Sequence, residues 1–289
     1  MNDFMIVTDT ASDLPADYIE KNKIELLSLG YIVDGRIYNW YSPMDEHEFY
    51  DAMRNGSMPT TSQVTVNDAL QMFEKLLKRC NDILCISFSS ELSGTYSSTA
   101  LAAWQIREAN PDAHIRVINS KSASLGQGLM VDYAVRMKNE GKSMDEIADD
   151  LEQNYLHFSH IFTVDDLFHL HRGGRVSKAT AILGSLAKVK PILHVDDEGR
   201  LINIGKVRGR KKSLQELVRV MEQKIGSYKE EKQTIFISHG DCLEDAQYVA
   251  ELVKEKFGFD TFFINYVGPT IGAHTGPGVV ALFFRGENR

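Results

Sequence analysis

"ISFSSELSGTYSSTALAA", from Ile86 to Ala103, sets an apolar run against a serine cluster and then a helix-forming stretch. A short apolar run bounded by turn formers reads as a buried strand, and the alanine-rich segment after it reads as a helix. Hydroxyls this dense between the two have three uses: a nucleophile at Ser93, an anion holder, or a helix cap.

The same unit recurs on either side. Phe4–Thr8 leads through Asp9-Thr10-Ala11-Ser12-Asp13 into a helix opening near Pro15. Ile115–Ile118 leads through Asn119-Ser120-Lys121-Ser122 into a helix over Leu125–Asn139, which stops before Gly141. Strands alternating with helices of this length predict βαβ units and a mainly parallel sheet. Thr65 with Asp68 three residues on makes a capping box, followed by Leu70, Phe73, Leu76 and Leu77 at helical spacing. Gly30–Trp40 reads instead as a hairpin turning at Asp34-Gly35.

Near residue 160 the pattern changes. His160–Val164 is a strand, followed by a short helix broken at Gly173-Gly174 and a second helix over Ser177–Leu186. Strands at Pro191–Val195 and Leu201–Lys206 flank the turn Asp196–Gly199. A helix (Ser213–Gly226), a strand (Thr234–Ser238), a helix (Leu243–Phe257) and apolar stretches at Thr261–Val267 and Val279–Phe284 complete the chain. The fold class expected is α/β in two domains. Residues 1–158 form a mainly parallel sheet with flanking helices, and residues 159–289 form an α+β domain with a mixed sheet.

The 289 residues are 43% hydrophobic and 25% charged, enough to bury full cores. No apolar run reaches the ~18 residues of a membrane span, and the start lacks signal-peptide character. Three cysteines make no disulfide scaffold. A cytoplasmic protein without stable membrane insertion is expected. The net charge of −8 conceals a basic block, because Arg172–Lys212 holds 11 Lys/Arg against 3 Asp/Glu. Such a block serves an acidic partner or phosphates, or is simply a solvated face. No nucleic-acid motif accompanies it, so DNA is not an expected partner.

Familiar catalytic motifs fail. Gly30-x4-Gly35 is followed by Arg36-Ile37, not Lys-Ser/Thr. Gly276-Pro277-Gly278 opens a dinucleotide-like pattern, but the sequence given ends at Arg289, short of the strand that pattern needs. His47-Glu48 continues as Phe49-Tyr50-Asp51, so it is no zinc motif, and no Gly-x-Ser-x-Gly elbow occurs. What remains are hydroxyl clusters at apparent helix starts, Thr60-Thr61-Ser62-Gln63 and Leu92-Ser93-Gly94-Thr95, plus the glycine-rich stretch Gly268–Gly278. The helix starts attract anions, and the stretch reads as a fixed turn that brings His274 and Thr275 near a ligand.

Taken together, these segments resemble the DegV family of fatty-acid-binding proteins that serve bacterial fatty acid kinase. The match runs through Thr8–Pro15, Pro59–Gln63, Ser89–Tyr96, Ser120–Gly126, Arg172–Ser177, Lys190–Leu193, the run from Gly205, and the His274 stretch. It departs at Val64-Thr65, where the family commonly has Pro-Ser. The resemblance implies a non-catalytic protein that binds a long-chain fatty acid between its domains and needs no other cofactor or metal. The carboxylate site it implies is Thr61, Ser62, Ser93, Gly94, His274 and Thr275. The implied partner is the catalytic subunit of an ATP-dependent fatty acid kinase, which makes an acyl-phosphate for phospholipid synthesis. Arg172, Arg175, Lys206 and Arg208 are candidates to face it. The alternative is a serine hydrolase or acyltransferase using Ser93 and His274.

Overall fold

The computed structural model describes residues 4–177 and 188–289. Strand β1 (Met5–Asp9) passes through a 3-10 turn into α1 (Ala16–Lys21) and β2 (Glu25–Leu27). A small antiparallel unit follows, with β3 (Gly30–Val33), β4 (Arg36–Tyr38), α2 (Glu46–Arg54) and β5 (Thr60–Ser62). Then come α3 (Val66–Leu77), β6 (Asp82–Ser87), α4 (Thr95–Ala109), β7 (His114–Asn119), α5 (Leu125–Asn139) and α6 (Met144–Asn154). The first sheet has the order β2-β1-β6-β7 and is parallel throughout. Its central strands are buried on both faces, as helix-covered parallel strands are.

The second sheet is built from β8 (Phe158–Thr163), β9 (Val189–Val195), β10 (Leu201–Arg208), β11 (Ile235–His239), β12 (Phe262–Tyr266) and β13 (Val280–Arg285). The helices on this side are α7 (Phe168–Arg172), α8 (Arg210–Lys224), α9 (Leu243–Phe257) and α10 (Pro269–Thr275). Its strand order is β10-β9-β8-β13-β11-β12. Only β11 and β12 run parallel, so the sheet is mixed as expected.

Local chemistry explains much of this. Asp34 and Gly35 both have positive φ, 47° and 82°, which suits the two-residue hairpin between Val33 and Arg36. The Thr65–Asp68 capping box opens α3 as the spacing predicts, and α9 spans its predicted residues. Helices α2 and α6 were not anticipated, although Ser143 and Glu146 form a second capping box at the start of α6.

Two expectations require correction. Thr60–Ser62 is a strand, not a helix start, because it pairs antiparallel with Gly30–Ile32 of the hairpin, and Thr65 caps the helix instead. Gly268–Gly278 is not simply a turn; it contains α10, with Pro269 at the first helical position where its missing N–H costs nothing. The helix expected over Ser177–Leu186 lies almost wholly outside the described residues.

Helix α5 joins the two halves. It packs on β6 of the first sheet and on β8, β11 and β13 of the second. Both of its faces are therefore buried, and it shows little amphipathicity. Two glycines permit the close approach. A Cβ on Gly126 would lie 2.1 Å from the His160 ring, and one on Gly128 would lie 2.8 Å from the Ser12 carbonyl oxygen.

Helix propensity alone would make Gly128→Ala stabilising by ~1 kcal/mol. Here the added methyl meets backbone, so we expect the opposite sign, a loss of about 1–3 kcal/mol. Urea denaturation of the two proteins measures it, and a gain in stability would contradict this packing.

Candidate functional site

Between the sheets lies a cleft of about 190 Å³. Leu29, Phe88 and Ala123 of the first half face Phe162, Ala281 and Phe283 of the second across it. All six residues expected at a carboxylate site, Thr61, Ser62, Ser93, Gly94, His274 and Thr275, line this one cleft. They reach it from three separate places, β5, the turn before α4, and α10.

Thr61 Oγ1 lies 2.8 Å from His274 Nε2. The other ring nitrogen, Nδ1, is buried against Gly173 and has no hydrogen-bond partner among the described residues. Burial, with Arg175 and Arg172 nearby, lowers the His274 pKa to about 4. The ring is thus neutral near pH 7. Its single proton belongs on Nε2, since a proton on Nδ1 would face Gly173 unpaired. Nε2–H then donates to Thr61 Oγ1, and the Thr61 hydroxyl keeps its own proton to donate elsewhere.

Ser93 repeats the arrangement. Its Oγ accepts from the Thr95 backbone N–H at 3.2 Å and lies 2.9 Å from Thr95 Oγ1. Thr95 Oγ1 in turn accepts from the Val64 N–H at 3.3 Å. With Thr95 donating to it, Ser93 has its O–H left to donate. Gly94 caps α4, and a Cβ there would lie 2.2 Å from Gln63 Oε1, so any side chain would have to displace the end of Gln63. Thr275 donates to the Ile271 carbonyl within its own helix at 3.4 Å, and Ser62 is exposed.

The four basic candidates divide. Arg172 donates to the carbonyls of Pro59 (2.8 Å) and Ala273 (3.0 Å), tying β5 to α10. Arg175 donates to Leu92 O (2.9 Å) and to Gly173 O, and it lines the cleft beside the hydroxyls. Lys206 and Arg208 are exposed on the edge strand β10.

Ser124 and Ser238 also line the cleft, and with the buried Asp13 behind them they form a polar group that the sequence reading did not single out. Ser124 and Asp13 share a 2.5 Å hydrogen bond, and Ser238 lies 3.0 Å from Ser124, so the chain Asp13–Ser124–Ser238 crosses from one half to the other. Ser124 has φ 54° and ψ −150°, a strained backbone for a residue with a side chain. Asp13 is buried and its pKa is pushed up to about 8 by burial, against the opposing pull of Ser124 and Gly268. Asp9, also buried, accepts from the backbone N–H groups of Phe88 (2.8 Å) and Ala11 (3.1 Å); burial still raises it to about 6. An acidic residue within a strand-end turn was the only signal in the sequence for either role.

A hydrolytic centre does not assemble here. The hydrogen bonds of Ser93 go to Thr95, whereas His274 Nε2 meets Thr61. His274 Nδ1 has no carboxylate to orient it among the described residues, and a nucleophilic serine needs both contacts.

The fold and cleft define a two-domain α/β protein whose interdomain cavity has a mostly apolar lining that includes the hydroxyl donors Thr61 and Ser93. Residues 3–287 match the profile of the DegV family, described as uncharacterised proteins. A DegV domain-containing protein of Clostridium perfringens is 44% identical over 100% of this chain and 99% of its own. The chain belongs to the DegV family. Among solved structures, DegV from Bacillus subtilis, a fatty acid binding protein, is 30% identical with a TM-score of 0.85, covering 99% of this chain and 100% of that one. A DegV family protein from Thermus thermophilus, also described for fatty acid binding, is 29% identical with a TM-score of 0.86, covering 98% of this chain and 99% of that one.

The buried aspartates predict a stability profile. An unfolded aspartate titrates near 3.9, far below the folded values of about 6 for Asp9 and about 8 for Asp13. Between roughly pH 4 and pH 8 the folded protein retains protons on these two aspartates that the unfolded chain has released, so their contribution to stability falls as pH rises, while buried His274 and His160 contribute the opposite slope below about pH 6.5. Above about pH 6.5, where the buried histidines are neutral in both states, melting temperatures should decline toward pH 8, and Asp13→Asn should flatten that slope. A profile rising toward pH 8 would contradict it.

Proposed function

We propose that this protein binds a long-chain fatty acid in the cleft, with the carboxylate at the Thr61–Ser93–His274 end and the tail between the sheets. The observation that carries the reading is the pair of neutral hydroxyl donors lining a mostly apolar cavity, each backed by a donor that leaves its own proton available. Hydroxyls hold a carboxylate without a buried counter-charge that must be desolvated. The positive end of α4 at Gly94 and the Arg175 guanidinium add a favourable field. Ser62 and Thr275 complete the wall around the head group. The solved relatives of Bacillus subtilis and Thermus thermophilus bind fatty acids, which supports the same ligand class here.

Magnitudes suit a carrier. A tail of about 14–16 methylenes at ~0.8 kcal/mol each gives on the order of 10 kcal/mol before association costs. Each head-group hydrogen bond to the charged carboxylate adds ~1.5–3 kcal/mol. The tail supplies affinity, and the hydroxyls fix which end faces out.

The second part of the proposal is that the bound carboxylate is presented to an ATP-dependent kinase subunit and converted to an acyl-phosphate that feeds phospholipid synthesis. The protein itself then performs no chemistry. Strand β10 supports this reading. Its register pairs Lys206 with Pro191 and Arg208 with Val189, while Ile192 pairs with Thr163 at the end of β8. The exposed cations therefore lie toward the same end of the sheet as Val279 and α10, where an acidic or phosphate-bearing partner would meet the head group.

Mass spectrometry of an organic extract of protein from a bacterial host should reveal a stoichiometric fatty acid. Absence of one, with no binding of added oleate or palmitate, would sink the binding proposal. Ser93→Ala and Thr61→Ala should each weaken binding about tenfold or more. Charge reversal at Lys206 and Arg208 should lower acyl-phosphate formation with the cognate kinase and leave fatty acid affinity unchanged. Unaltered turnover would remove β10 from the docking surface.

A further inference from the structure

An acyl chain held between the two halves can be loaded only where a wall of the cleft gives way. Most walls are pinned. Helix α5 packs against both sheets, β8, β11 and β13 have a strand on each side, and α10 is tied down through Arg172. The hairpin of β9 and β10 is different. It forms an edge of its sheet, yet it contributes Val195 and Leu201 to the cleft lining. These two residues pair with each other at the base of the hairpin turn. Strand β8 pairs with β9 from Ile192 to His194, so the hairpin overhangs its neighbour from Val195 onward.

The overhanging tip is a rigid unit. Asp196 N–H donates to Arg200 O, and Gly199 N–H donates to Asp196 O, both at 2.9 Å. The Asp196 carboxylate accepts from the backbone N–H groups of Glu198 (3.0 Å) and Arg200 (2.9 Å) and from Arg200 Nε (2.9 Å). The hold of the tip on the N-terminal half is polar. Ser89 Oγ donates to Gly199 O at 2.9 Å, and Lys121 Nζ donates to Asp197 O at 3.3 Å, with Glu198 Oε2 3.7 Å away. The fit is close, because a Cβ on Gly199 would lie 2.4 Å from Ser89 Oγ and 3.1 Å from Lys121 Cα. Such contacts exchange for water at little net cost, whereas a packed apolar wall does not. Ser89 also supports the head-group turn, since its carbonyl accepts from the N–H groups of Leu92 and Ser93, both at 3.1 Å. The tip is thus fastened to the loop that presents Ser93.

We infer that the β9–β10 tip is a lid on the acyl cleft, latched by Ser89 and Lys121, and that a fatty acid enters and leaves when this latch opens. This inference rests on the acyl-binding reading above. The rigid tip swings as one piece, and its movement carries Val195 and Leu201 away from the tail.

The test follows loading and release of parinarate, a fluorescent long-chain fatty acid, by stopped flow on the delipidated full-length protein. Lys121→Glu sets like charges at the latch and should speed both loading and release about fivefold or more, with much less change in affinity. Adding Glu198→Lys restores an opposite pair and should bring both rates back toward their original values. Ser89→Ala keeps the carbonyl that holds the Ser93 turn and should act in the same direction as Lys121→Glu. Rates within about twofold of the unaltered protein in both single variants, or release that quickens while loading does not, overturn the inference. So does a charge swap whose rates stay as fast as those of Lys121→Glu. Failure of parinarate to bind the unaltered protein would instead strike the acyl-binding reading itself.

Discussion

A hydrogen-bonded chain of three side chains, Asp13, Ser124 and Ser238, spans the seam on which the cleft depends. Asp13 belongs to the turn after β1, Ser124 to the start of α5, and Ser238 to β11. Their contact holds the parallel sheet, the shared helix and the mixed sheet at one spacing. That spacing leaves the cleft between the sheets, and burial of Asp13 at the seam is what raises its pKa. The strained backbone of Ser124 fits this account, because a residue in that conformation persists only where its surroundings over-determine it.

The polar end follows a different electrostatic plan. Its cations are engaged with carbonyls, Arg172 with Pro59 and Ala273, Arg175 with Leu92 and Gly173. They fix the geometry of β5, α10 and the Ser93 turn, and they reinforce the burial that keeps His274 neutral. In the proposed complex, direct contact with the carboxylate is left to hydroxyl and backbone donors, which would bind it without a tight buried ion pair. A head group held this way can remain accessible at the end of the cleft while its tail is enclosed.

Some features were legible because their causes are local. The hairpin at Asp34-Gly35 follows from two residues that tolerate positive φ, the Thr65–Asp68 box from side chains three residues apart, and α9 from the spacing of its apolar face. Thr61 was assigned to the wrong element because its strand pairs with Tyr31, thirty residues away, and nothing in Thr60–Gln63 itself declares that partner. Arg172 and Arg175 read as part of a charged block, although their acceptors come from Pro59, Leu92 and Ala273, distant in sequence. His160 and Ser238 sat inside strands that read as ordinary core.

Much of the order of strands and helices, the hairpin turn, the Thr65–Asp68 cap and the type of residue available at each strand end were therefore settled by the sequence, since each depends on neighbours within a few positions. Which hydroxyls converge, which arginines turn inward and which histidine proton faces Thr61 were decided only by the tertiary structure. Those outcomes depend on contacts between residues a hundred or more positions apart, such as Thr61 with His274 and His160 with Arg289. Burial then sets their protonation, and the full set of atoms around a group determines its burial.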